Sequence, residues 1–135
     1  MASEPSSPST LVAGYDGSGG AAAAVRWAAA RTGPDGRLVV VCASHPGVPS
    51  PLASSREERA RAGLEALWME EDALVDTEVQ LLLDDAPPAE ALCRVARDAG
   101  ADGIVVGRHH AGPFNADTVR RLLSVADLPV TVVPG

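Results

Sequence analysis

The sequence predicts an α/β fold: one domain on a single parallel, doubly wound sheet of five strands. Three observations carry that expectation. Short apolar runs alternate along the chain with longer stretches of helical periodicity, the pattern of strands joined by crossover helices. One run, Arg37–Ala43 (RLVVVCA), is apolar without alternation, as expected of a strand covered on both faces. The length, 135 residues, suits one domain and buries roughly 65–70% of the unfolded surface.

The elements follow in order. Residues 1–9 are rich in Ser and Pro and predict a disordered tail, leaving 10–135 as the domain. Thr10–Tyr15 is apolar and stops at the glycines of Gly17–Gly20, which reads as a buried strand. Ala21–Arg31 is an alanine-rich helix ended by Thr32-Gly33-Pro34. Arg37–Ala43 is the second strand, and His45 to Ser55 a Pro/Ser loop. Ser55-Arg56-Glu57-Glu58 is a capping box opening a helix whose apolar face is Ala60, Leu64, Leu67 and Trp68. Thr77–Leu83 is the third strand, and Pro87-Pro88 opens a helix with Ala89, Leu92, Cys93 and Ala96 on one face. Gly103–Val106, Asp117–Val125 and Pro129–Val133 complete the alternation as strand, helix and strand.

Composition narrows the function classes. The chain is 46% hydrophobic but has only two Trp, one Tyr and one Phe, so its core is built of Val, Leu and Ala. A net charge of −7 argues against a nucleic-acid or anionic-membrane surface. All eleven basic residues are arginine. Without lysine there is no P-loop and no Schiff-base chemistry. The N-terminal residues have neither the basic patch nor the apolar run of a signal peptide, and no stretch is long enough for a membrane span. A soluble, cytoplasmic protein is expected. Cys42 and Cys93 lie in apolar segments and read as reduced core thiols.

In such sheets ligands bind beyond the carboxyl ends of the strands, where the winding reverses. Three loops leave those ends: Asp16–Gly20, Ser44–Ser54 and Gly107–Ala116. Asp16 and Ser18 at the first strand's tip either contact a ligand or cap the turn into the helix, and the local chemistry leaves both readings open. Asp16 with His45, His109 and His110 is the candidate set for a metal-dependent enzyme, although adjacent His109 and His110 do not readily aim at one point. Asp84 and Asp85 read as favouring the N-terminus of the following helix. Trp27 and Trp68 read as packing residues.

The segment GYDGS followed by AVRWAAA resembles the opening of the universal stress protein family. The stretches PPAEALCRVARDAGADGIVVG and TVRRLLSVADLPVTVVP are similar to its last two helix–strand units, so the resemblance covers residues 10 to 134. It implies an adenine-nucleotide alpha-hydrolase-like fold with strand order 3-2-1-4-5. It also implies homodimerisation through the edge strand Leu128–Pro134, and adenosine contacts by Asp16 and the Ala43 backbone in members that hold ATP. In those members the phosphates lie on a Gly-x2-Gly-x9-Gly-Ser/Thr loop, to which Gly107, Gly112 and Thr118 correspond most nearly.

This chain departs from that pattern. Position 110 is His110, the nearest glycine is Gly112, and ten residues beyond His110 lies Arg120. Aligned backward from the last strand, Ala116-Asp117 stands where Gly-Ser belongs. Asp117 would cap the free N–H groups and repel a triphosphate. The expectation is therefore a stress-adaptation protein that binds a small molecule or a protein partner, with no resident cofactor and no catalytic set. An ATP/Mg-binding, slowly hydrolysing member is the alternative.

Overall fold

The computed structural model describes residues 9–15, 19–32, 35–43, 58, 62, 65–67, 69, 78–84, 87–108 and 116–134. Within them the chain runs β1 (Thr10–Gly14), α1 (Gly19–Thr32), β2 (Arg37–Ala43), β3 (Glu78–Asp84), α2 (Pro88–Ala99), β4 (Gly103–Gly107), α3 (Ala116–Val125) and β5 (Val130–Val133). Glu58, Ala62, Glu65–Leu67 and Met69 are also helical. The strands form one five-stranded sheet in the order β3-β2-β1-β4-β5, every pair parallel.

Side-chain alternation divides the interior into two layers. Ala13, Leu38, Val40 and Val105 pack against α1, together with Leu67 from the helical residues after Glu58. Val12, Val39, Val41, Ile104 and Val106 pack against α2 and α3 on the other face. Helices on both faces explain why β2 and β4 read as unbroken apolar runs. In α1, Ala21, Ala24, Val25 and Ala28 are fully buried at helical spacing, and their small side chains let the helix approach the sheet closely.

Local chemistry sets the joints. Helix α2 ends at Gly100, whose φ of 65° and ψ of 39° place it in the left-handed region. There Gly100 N–H donates to Arg97 O at 3.2 Å and Ala101 N–H to Ala96 O at 2.9 Å, which satisfies the last carbonyls. Asp102 then joins β4 to β1. Its Oδ2 accepts from Thr10 N–H at 2.9 Å, and its own N–H donates to Thr10 O at 2.8 Å. Across the helices, Arg121 Nε donates to Glu90 Oε1 at 2.8 Å. That guanidinium holds the Glu90 carboxyl below its ordinary range.

Pro87 and Pro88 open α2 as expected, with Pro87 at the cap position and Glu90 the acid of the first turn. Asp84 ends β3, in register with Ala43, and Asp85 lies outside the described residues. Trp27 is half-buried and packs against its core layer, the packing role expected of it. Cys93 is a buried free thiol, as its place in the helix suggests, and burial pushes its pKa up.

Candidate ligand site at the carboxyl edge of the sheet

The winding reverses between β1 and β4, because β1 crosses to β2 on one side while β4 pairs on the other. The crevice between their carboxyl ends is thus the fold's natural ligand position. Register fixes what stands there. Gly14 pairs with Val41 and Ala13 with Val105, so Tyr15, Cys42 and Gly107 fall in one row across the sheet. Gly107 pairs in turn with Val133. Ala43 stands one row further out, opposite Asp84.

Tyr15, absent from the expected site residues, closes the floor of this edge. Its N–H donates to Val41 O at 3.0 Å, and the residue is only 3% exposed. Asp16 follows it directly in the chain. Asp16, His45, His109, His110 and Gly112 lie outside the described residues, as do Ser18 and Trp68. The structure therefore brings Ala43 and Gly107 to one edge and leaves the four candidate metal ligands unplaced. Among the described residues no group of three or more His, Cys, Asp or Glu could hold a metal ion.

On the β4 side, Gly107 is buried and the next amide is already committed. Arg108 N–H donates to Val133 O at 3.0 Å, which prolongs the β4–β5 ladder. Backbone donors for an anion thus begin no earlier than residue 109. The Arg108 side chain is exposed and has no ion-pair partner among the described residues. That commitment could not be read from sequence, because it depends on where β5 docks.

Helix α3 opens at Ala116, so Arg120 is its fifth residue and cannot serve as a loop position. Eight residues, 108–115, separate β4 from α3. Asp117 is the helix's second residue rather than its cap. Its Oδ1 accepts from Arg120 Nη1 at 3.1 Å, and its side chain is 88% exposed. Such an exposed pair contributes little to stability, but it keeps a carboxylate in the first turn. Thr118 is half-buried beside it.

This is a parallel α/β domain whose strand order reverses between β1 and β4, a class in which ligands sit beyond the strand tips at that switch point. Residues 9–134 match the model of the Universal stress protein family, and the chain belongs to that family. It is similar to a universal stress protein family structure from Burkholderia pseudomallei, at 29% identity and a TM-score of 0.72, covering 95% of this chain and 97% of that one. It also resembles the Archaeoglobus fulgidus universal stress protein in complex with dAMP, at 18% identity and a TM-score of 0.71, covering 93% and 96%. A universal stress protein family protein from Arabidopsis thaliana with AMP bound aligns at 13% identity and a TM-score of 0.64, covering 94% and 92%. The last two likenesses concern the fold alone. No match is found among curated proteins. No helix among the described residues is long and apolar enough to cross a membrane.

Proposed function

We propose that this chain is a non-catalytic binding module for an adenine mononucleotide, held at the carboxyl edge between β1 and β4, and that it does not hold ATP. The observation that carries this reading is the span from Gly107 to Ala116. The ATP-holding pattern places its last glycine at position 120, but α3 already begins at Ala116. The loop is therefore four residues short, and the amide of Arg108 is taken by β5. A cradle that short suits one phosphate, with Arg108 as its counter-charge and Asp117 opposing further charge. The nucleoside end falls to Asp16 and the Ala43 backbone. The AMP and dAMP held by the two structural relatives are mononucleotides of that kind.

Calorimetry with AMP, cAMP, ADP and ATP, each with and without Mg²⁺, tests this. AMP is expected to bind at least about tenfold more tightly than ATP, a difference of about 1.4 kcal/mol. Asp117→Asn should raise ATP affinity about fivefold while leaving AMP nearly unchanged, because one exposed charge at contact range is worth about 1 kcal/mol. ATP binding as tightly as AMP would refute the reading, and so would failure of every adenine nucleotide to bind.

The assembly reading rests on β5. It is one of the two edge strands of the sheet, and its Val132 is 39% exposed. An apolar edge left open favours pairing with a second copy. Sedimentation velocity at micromolar concentration is expected to give a dimer. A monomer at every concentration tested would remove this assembly.

A further inference from the structure

A cavity lies at the amino-terminal end of the strands. It has a volume of about 290 Å³ and opens between α1 and the amino-terminal halves of β1, β4 and β5. Leu11 and Val105 form its apolar wall, and Gly103, without a side chain, leaves the β4 wall low. Trp27 and Arg31 from α1 form the facing wall, and Thr131 of β5 closes one side.

Two features of this cavity are chemically directed. The Arg31 guanidinium lies over the Trp27 ring, 4.5 Å from its centroid. A guanidinium so stacked keeps its N–H edge free for a planar anion. Arg31 also has no ion-pair partner among the described residues. The other charged group lining the cavity, Asp102, already accepts the Thr10 N–H through Oδ2. Asp102 keeps its own negative charge, so the lining holds one anion and one cation, and the cation, Arg31, is set above an indole and beside an apolar wall.

We propose that this cavity is a second ligand site and that it takes a small planar carboxylate, its ring against Trp27 and Leu11 and its carboxylate on Arg31. The volume lies at the small end of ligand pockets, which limits the guest to about one ring. The site is separate from the nucleotide crevice, since Gly103 begins β4 and Gly107 ends it.

Benzoate and its neutral analogue benzyl alcohol are the probes, titrated into the ¹⁵N-labelled full chain. The indole N–H resonances report binding, and Trp27→Phe identifies which of the two belongs to Trp27. Benzoate is expected to shift that resonance saturably with a Kd of about 1 mM, near the limit for so few atoms. Benzyl alcohol should bind about tenfold more weakly, the share of one charge-assisted contact. Arg31→Gln should abolish that difference, whereas Arg26→Gln on the same helix should preserve it. Saturating AMP should leave the Trp27 resonance in place. The proposal is overturned if benzoate gives no saturable shift, if both probes bind alike in the unsubstituted chain, if Arg31→Gln retains the preference, or if AMP produces the same shift.

Discussion

Gly36→Ala is expected to destabilise the fold by about 3 kcal/mol, the upper range for forced overpacking. A Cβ at this position would lie 2.3 Å from Thr32 O and 2.7 Å from Ser9 O. Both obstacles are backbone, so no rotamer change relieves them. Neither can readily move. Thr32 ends α1 in a buried position, with its Oγ1 donating to Ala29 O at 3.2 Å, and Ser9 O accepts the Arg37 N–H at 2.9 Å. The added methyl must therefore push the end of α1 away from the point where β1 and β2 begin to pair. Gly100→Ala provides the contrast: its φ of +65° disfavours a side chain, yet nothing lies within 4 Å of the new methyl. That substitution should cost only about 1 kcal/mol, a conformational term alone. Urea unfolding of the three proteins measures both differences. A Gly36→Ala loss no larger than that of Gly100→Ala would show that the α1–β2 joint yields easily.

The layers of this fold were legible because each strand announces itself by a run that water could not tolerate on either face. RLVVVCA and GIVVG need no alternation when helices cover both sides, and the order of strands and helices then dictates parallel crossovers. Boundaries were less legible, since they depend on contacts distant in sequence. Tyr15 extends the β1 ladder only because β2 lies alongside, and Arg108 extends that of β4 only because β5 does. The candidate site divides the same way. A strand end and a helix start near this loop follow from local pattern, although the expected bounds, Val106 and Asp117, each fall one residue short of the observed Gly107 and Ala116. The use of the Arg108 amide does not follow from it, because no local signal encodes the register of β5. Trp27 packs against the core as expected, but its contact with Arg31 was not foreseen. Helical periodicity turns it toward the sheet, but the sheet's edge is near, and the ring emerges beside Arg31. The Trp-x3-Arg spacing was the available signal, since residues four apart on a helix meet.

Leu122→Ala should cost about 3 kcal/mol, whereas Leu123→Ala, which removes the same atoms one residue away, should cost less than about 0.5 kcal/mol. The contrast follows from which way each side chain faces on α3. Leu122 is fully buried in the layer that also holds Leu92, Ile104 and Val106, and it is the one fully buried side chain of this helix. Leu123 is 59% exposed. Truncating Leu122 therefore loses transfer energy and opens a cavity beneath α3, while truncating Leu123 mainly reduces an apolar surface already in water. The exposed ion pair of Arg121 with Glu90 does little to compensate, because such surface contacts contribute weakly. Denaturant unfolding at two protein concentrations reads both substitutions. A small loss for Leu122→Ala would mean that α3 is held by something other than its buried leucine. A large, concentration-dependent loss for Leu123→Ala would mean that the outer face of α3 is covered by a second copy in solution, and the assembly would then extend beyond the β5 edge.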